Sequence, residues 1–324
     1  MSLIKSIRQP ISEDLKTFKV FFTEALKTDN PLLADVNEYI VQASGKKLRP
    51  ILTLLSARLC GNSTDAAYYA ALAMELLHNA SLIHDDVVDD TNERRGRSSI
   101  NARWTNKVAV LSGDYMLSNS LICGTKTENL DILKSIANIG MELSDGELLQ
   151  LTNMQKTEIS EADYFKVIRK KTALLFATCT EVGAISAKAD KKQQEHLFRF
   201  GELLGICFQI KDDIFDYYKD IEIGKPTGND LQDGKVTLPL IYALQNSKSN
   251  DRNNVISIIH SKEFSASNID YIMQFAREAG GVEYAESKMS EFKNQAISEL
   301  DTFENSVYKN ALIQCVEFAT SRQY

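Results

Sequence analysis

The sequence predicts an all-α fold in a single domain spanning 1–324, and three observations carry that expectation. Turn-forming residues are scarce: 15 Gly and 5 Pro in 324 residues, about half the usual usage. The prolines fall at 10, 31, 50, 226 and 239, so residues 51–225 hold none, whereas a β-sandwich or barrel needs turn signals roughly every 8–12 residues. Between these breaks the apolar residues recur at helical spacing.

In order along the chain, Leu32, Leu33, Val36, Tyr39 and Ile40 mark a helix opened by Pro31, and Ile51, Leu54, Leu55 and Leu59 mark the next. Over 63–83, Ala66, Ala70, Leu72, Ala73, Leu76, Leu77 and Ala80 are apolar most of the way round, the pattern of an interior helix. Segments 108–122 and 132–151 read the same way, and 161–187 and 193–218 give two more long periodic runs. Polar loops at 90–99 and 219–235 interrupt the series. Past Pro239 the chain turns helical again, with a polar stretch at 246–254 and a turn at Gly280 and Gly281. There is no repeat with a period of 20–50 residues.

A net charge of −7 argues against a protein held to nucleic acid by bulk phosphate attraction. The five cysteines show no C-x-x-C spacing and are expected to be buried thiols in a reducing compartment. Residues 1–15 are too polar for a signal-peptide core, and no apolar run reaches 18 residues. A cytoplasmic protein without a transmembrane segment is the expectation.

The chemistry concentrates in two segments, LIHDDVVDD with Asp85, Asp86, Asp89 and Asp90, and QIKDDIFD with Asp212, Asp213 and Asp216. Each is an apolar helix ending in D-D-x-x-D. Asp85 and Asp89, like Asp212 and Asp216, are i,i+4 neighbours on one helical face, where like charges destabilise by about 0.2–0.5 kcal/mol per pair. A single such motif is more often a solvated acidic helix end. Two copies, each with basic residues downstream, call for a cation, and oxygen-only ligands point to Mg²⁺ shared with substrate phosphates. An EF-hand is excluded because the Gly and the closing Glu are missing at loop spacing. Glu75 and His78 fit the E-x-x-H of a di-iron bundle, but no second E-x-x-H exists. The basic clusters are Lys46, Lys47 and Arg49, then Arg94 and Arg95, then Lys171, Lys225 and Lys235. With the carboxylates they describe a site for two polyanions, one bridged by Mg²⁺ and one gripped by Arg and Lys.

These residues resemble a known family. The two DDxxD motifs, GKKLRP, ELLHNASLIHDDVVDD, RRG, GKPTGNDLQDGK and VTLP occur in consistent order over about 30–240 and look like the trans-isoprenyl diphosphate synthases, most of all the long-chain octaprenyl type. The resemblance implies an isoprenoid-synthase-type helical bundle around a deep central cavity, usually a homodimer. It also implies up to three Mg²⁺ ions, with Asp85, Asp89 and Asp212 as ligands and Asp86, Asp213 and Asp216 supporting them. Arg94, Lys171, Lys225 and Lys235 match positions that hold the allylic diphosphate; Lys46, Arg49, His78 and Arg95 match those for isopentenyl diphosphate. Thr172 and Gln209 match positions lining the reacting carbon. Two departures stand out: Lys47 replaces a common Arg, and Ser44 replaces a Gly. Arg322 is a further candidate to cover the isopentenyl site.

The implied activity is head-to-tail addition of isopentenyl diphosphate to farnesyl or geranylgeranyl diphosphate, giving an all-trans chain of about C30–C50 for a quinone side chain. Small residues at Ala80 and Ser81, where the family uses aromatics to stop growth, favour a long product, with 115–118 on the next helix as a candidate floor. Product release would involve peripheral membrane contact. The competing readings are a short-chain farnesyl or geranylgeranyl synthase, a class I terpene cyclase, and a subunit of a heteromeric synthase. A cyclase would pair one Asp-rich motif with an Asn/Ser/Glu motif, which is not the pattern here. No aspartate, Lys46 or Arg49 is missing, so a non-catalytic subunit is disfavoured, while a catalytic subunit that needs a partner stays open.

Overall fold

The structure is a computed structural model and describes residues 2–43, 45–94, 96–154, 156, 159–218, 228–248 and 250–321. It is all-α, as the punctuation predicts. The first helices are α1 (Leu3–Arg8), α2 (Ser12–Ala25), α3 (Pro31–Gln42), α4 (Leu48–Cys60), α5 (Asp65–Val88), α6 (Ile100–Arg103), α7 (Asn106–Lys126) and α8 (Leu130–Asn153). Next come α9 (Glu161–Ile168), α10 (Leu174–Ser186) and α11 (Lys191–Phe215), and further helices reach Ser321. Among the described residues the strands are Glu93–Arg94 and Arg97–Ser98 alone. They form a two-stranded antiparallel hairpin within the segment that sequence reads as loop, turning at Gly96 with φ +73°.

Polar residues placed at helix starts set the boundaries by accepting free backbone N–H groups. Asn30 accepts from Leu33 N at 3.2 Å, with Pro31 at the first helical position of α3. Thr105 caps α7 and Ser99 caps α6. Ser160 and Asp163 form a reciprocal capping box at the head of α9.

The chain folds into two compact units. One comprises Met1–Met141, Phe176–Gly201 and Leu300–Gln314; the other comprises Glu142–Leu175, Glu202–Glu299 and Cys315–Tyr324. In the first, α5 is the buried axis: Leu72, Met74, Leu76, Leu77, Ala80 and Ile83 are all at most 4% exposed. Each large side chain among them contributes about 1.5–3 kcal/mol on burial. α5 packs along α7, and the close approach needs Gly113, where a Cβ would lie 2.2 Å from His84 Nε2. The outer side of α7 carries Leu111, Tyr115 and Ile122, all exposed.

The second unit has a core of Ile210, Ile214, Tyr217, Leu238, Leu240 and Ile272. Between α9 and α10 the chain makes a π-helical turn, Arg169–Ala173, closed by Leu174 N–H donating to the Arg169 carbonyl. The run that reads as one helix over 161–187 is therefore continuous but carries a widened turn. All five cysteines are free thiols, four of them buried and Cys60 half-buried. Among the described residues no helix is long and apolar enough to cross a membrane.

Candidate active site

In the first unit, α5 delivers the first aspartates as it ends. Asp89 is the C-cap, and its N–H donates to the Asp85 carbonyl at 2.8 Å. Helical spacing puts the two carboxylates on one face, at the negative end of the helix dipole, where a cation would be favoured. Asp86 points elsewhere. Its side chain is 5% exposed and accepts from Arg94 Nε at 2.7 Å. Burial raises its carboxyl above the usual range, and Arg94 opposes that shift. The turn is pinned by Thr91 N and Asn101 Nδ2, both donating to the Asp86 carbonyl, at 2.9 and 3.2 Å. Arg94 is thus fixed on the first aspartate cluster through the hairpin.

The expected isopentenyl residues begin at the N-terminus of α4. Lys46 is exposed just before it, and Arg49 lies in its first turn with its guanidinium 5.1 Å from the Phe176 ring centroid. Cations at a helix N-terminus oppose the dipole, yet with the free N–H groups they suit an anion there. Lys47, at φ 48°, is the N-cap residue. Its ammonium lies 4.0 Å from the centroid of Phe22, and burial lowers its pKa. It caps an aromatic cluster, so the exchange of Arg for Lys falls on a packing contact. His78 is half-buried on α5, and its carbonyl accepts from Ser81 Oγ at 3.0 Å. Ala80 is 2% exposed. Of the candidate floor on α7, Met116 is buried whereas Tyr115 and Ser118 are exposed. Arg95, Lys225 and Arg322 lie outside the described residues.

The second unit holds a cavity of about 180 Å³ whose lining includes Lys171, Thr172, Gln209, Asp213, Asp230 and Lys235. The π-turn supplies Lys171 and Thr172. Arg169, Lys170 and Lys171 are consecutive but face different acids: Arg169 meets Glu202 at 2.5 Å, Lys170 meets Glu142 and, at 2.7 Å, Asp145, and Lys171 meets Glu147 at 2.5 Å. Thr172 Oγ1 donates to Gln209 Oε1 at 2.8 Å, and Gln209 Nε2 donates to Asp213 Oδ1 at 2.8 Å. The buried Tyr164 hydroxyl donates to Asp213 Oδ2 at 2.6 Å. Burial, then the Asp230 charge, pushes the Asp213 carboxyl well above its ordinary range, while the two hydrogen bonds pull it down. Asp230 itself is pushed up to about 6, by burial and then by Asp216.

Asp216 is committed to the backbone. Its two oxygens accept from Asn229 N at 3.1 Å and Asp230 N at 3.0 Å, holding the helical turn Asn229–Gln232. Lys235 Nζ lies 2.8 Å from Asp233 and 3.9 Å from Asp230. Asp212 is half-buried. Among the described residues no three His, Cys, Asp or Glu side chains converge as a ready-made metal cage.

The structure therefore gathers Lys171, Thr172, Gln209, Asp213 and Lys235 around one cavity, and Asp86 with Arg94 at another point. Sequence reasoning passed over Tyr164, Glu147 and Asp230. Asp230 stands inside the segment GKPTGNDLQDGK, so its carboxylate within a basic loop was a usable signal. Tyr164 and Glu147 sit in regular helical patterns that offered none.

The chain matches the polyprenyl synthetase family over residues 30–276. It is 34% identical, over 98% of each chain, to the all-trans-nonaprenyl-diphosphate synthase (geranyl-diphosphate specific) of Rhodobacter capsulatus. The structure is similar to a polyprenyl synthase from Caulobacter crescentus complexed with calcium and isoprenyl diphosphate, with a TM-score of 0.93 and 30% identity, covering 99% of this chain and 98% of that one. It is also similar to a geranylgeranyl pyrophosphate synthase from Bacteroides thetaiotaomicron, with a TM-score of 0.86 and 38% identity, covering 99% and 100%. The carboxylate-tipped helices and the lysine-lined cavity are thus set in the isoprenoid-synthase fold, and the chain belongs to the polyprenyl synthetase family.

Proposed function

We propose that the chain adds isopentenyl diphosphate head-to-tail to an allylic prenyl diphosphate and builds a long all-trans polyprenyl diphosphate. The observation that carries this reading is a single cavity lined by two lysines, Lys171 and Lys235, and by the carboxylates Asp213 and Asp230. Cations alone would suit a bare anion and carboxylates alone a metal; both together suit a metal-chelated diphosphate.

The donor set fits Mg²⁺, which takes one or two carboxylates and completes its shell with water and substrate phosphates. Asp85 and Asp89 in the first unit and Asp212 in the second are the proposed ligands. Asp86, Asp213 and Asp216 have their oxygens engaged by protein donors and act as supports. When bound, Mg²⁺ neutralises charge growing on the leaving diphosphate. Lys171 and Lys235, with Arg94 and Lys225, grip that diphosphate as its allylic C–O bond breaks. The oxygens of Thr172 and Gln209 stabilise the carbocation. Lys46, Arg49, His78 and Arg95 hold isopentenyl diphosphate so that its double bond attacks the cation and forms the new C–C bond. A proton then leaves to the released diphosphate, which restores a double bond and needs no protein base.

The 38% identity to a geranylgeranyl pyrophosphate synthase favours a second reading, a short-chain synthase; buried Ala80 and small Ser81 weigh against it. The exposed apolar row Leu111, Tyr115 and Ile122 on α7 supports a homodimer; we further propose that it acts in the cytoplasm as one catalytic domain per chain, with membrane contact only to release product. The test is to incubate the purified chain with Mg²⁺, farnesyl diphosphate and labelled isopentenyl diphosphate, then size the products by mass spectrometry. A ladder ending at about C30–C50 is expected, with loss of turnover in EDTA and recovery on adding Mg²⁺. A stop at C15–C20 would establish the short-chain reading. No turnover by folded protein would refute a self-sufficient enzyme and direct the search to a partner subunit.

A further inference from the structure

We propose that Tyr164 is a positioning residue that sets the orientation of the Gln209 amide through Asp213. The inference rests on the proposed reaction and concerns a residue that neither motif contains. Four groups form a chain: the Tyr164 hydroxyl donates to Asp213 Oδ2 at 2.6 Å, Gln209 Nε2 donates to Asp213 Oδ1 at 2.8 Å, and Thr172 Oγ1 donates to Gln209 Oε1 at 2.8 Å. All four residues line the same cavity. Both Asp213 oxygens take a donor, the Tyr164 hydroxyl on one and the Gln209 NH₂ on the other, and this turns the amide oxygen toward Thr172. That oxygen keeps a second lone pair. The result is an acceptor-rich patch, the polarity that suits a carbon becoming positive. Asp213 is 2% exposed and Tyr164 5%, so both stand in the wall of the cavity with little surface open to it. Without the tyrosine hydroxyl, Asp213 Oδ2 loses the donor that fixes its rotation, and the amide beyond it is free to turn.

The hydroxyl has no other assigned task. Tyr164 sits four residues after the N-cap of α9, and its ring packs edge-on against Phe165 with centroids 5.2 Å apart. Tyr164→Phe therefore keeps the packing and deletes the donor. The expected result is a fall in kcat of about tenfold with the KM of both diphosphates within twofold of wild type. In Thr172→Val the same change should cost less than twofold, because the far end of the chain is already cut. An activity-independent measurement separates this inference from the reaction assignment. The Gln209 side-chain amide protons, identified by their loss in Gln209→Leu, should exchange with solvent slowly in wild type and at least tenfold faster in Tyr164→Phe, whether or not product is made. Equal exchange rates, an unchanged kcat in an active enzyme, or losses that multiply in the double variant would overturn the proposal. So would a Tyr164→Phe chain that fails to fold, because the hydroxyl would then be holding the helix rather than the amide.

Discussion

Gly205 lies on α11 one turn before Gln209, and Gly205→Ala sets two known effects against each other. Removing a glycine from a helix interior stabilises by about 0.8–1 kcal/mol. A Cβ at this position, however, would lie 2.5 Å from Ala173 Cα, 3.1 Å from its carbonyl oxygen and 3.2 Å from its Cβ. Carbon atoms rest about 3.5–4.0 Å apart, so the π-turn and α11 must separate by about 1 Å. The clashing atoms are mainly backbone, so no rotamer change relieves them, and overpacking of this kind costs about 1–3 kcal/mol. We expect a net loss of stability of up to about 2 kcal/mol. The larger effect should be on turnover. Thr172, next to Ala173, is joined to Gln209 at 2.8 Å, and a further 1 Å takes that pair beyond hydrogen-bond range. A displacement of about 1 Å near reacting atoms costs of order a hundredfold. Urea unfolding and steady-state kinetics with farnesyl and isopentenyl diphosphates would measure both. A variant at least as stable as wild type, with kcat within twofold, would refute the argument.

Other consequences can be checked separately. Ala80 precedes Asp85 by five residues, about 7.5 Å along the helix, so Ala80→Phe should shorten the product to about C15–C20; an unchanged ladder would show that the chain end does not pass this point. Arg94→Ala leaves the Asp86 carboxylate buried with its ionic partner removed, and should lower stability by about 1–3 kcal/mol, with partial recovery in Arg94→Lys, as read by chemical denaturation. Burial pushes the thiols of Cys179 and Cys207 up to about 12 and that of Cys123 to about 11, so a thiol reagent at pH 8 should label these buried cysteines no faster than the protein unfolds. Asp163 is held at about 2 by hydrogen bonds from Lys156 and Ser160, below its unfolded value of about 3.9. Its contribution is complete above about pH 4 and fades as pH falls through 2. The stability gap between wild type and Asp163→Asn should therefore narrow between pH 4 and 2, and a gap that widened on acidification would contradict the assignment.

The acidic and basic clusters were legible because charge at the end of an apolar helix is costly and therefore conspicuous. Asp85, Asp89, Lys46 and Arg49 stand at helix termini as their spacing requires. The same logic failed for Lys47, which a cation count places with its neighbours but whose ammonium faces Phe22. Nothing in the one-dimensional pattern says which way a flexible stem turns. The hairpin of Glu93–Arg94 and Arg97–Ser98 escaped notice because two-residue strands carry no periodicity. Tyr164 reads as a core aromatic, and the donor at its tip matters only because α11 brings Asp213 to it. The widened turn at Arg169–Ala173 was hidden by the continuous apolar sequence after it: one extra residue in a run that is buried all round leaves no trace in hydropathy.

That turn also limits how the chain can change length. A π-turn is an α-helix with one residue inserted, and the insertion rotates everything before it by about 100° relative to everything after it. The present phase sends Lys170 toward Asp145 and Lys171 toward Glu147 while Tyr164 meets Asp213. Deleting one residue here would not simply tighten the coil; it would swing α9 by more than a quarter turn and carry the Tyr164 hydroxyl off its acceptor. A change of three or four residues comes close to a whole turn and nearly restores the phase. Among homologous sequences, gaps at this helix should therefore come in threes and fours, with single-residue gaps confined to chains that have also lost the tyrosine.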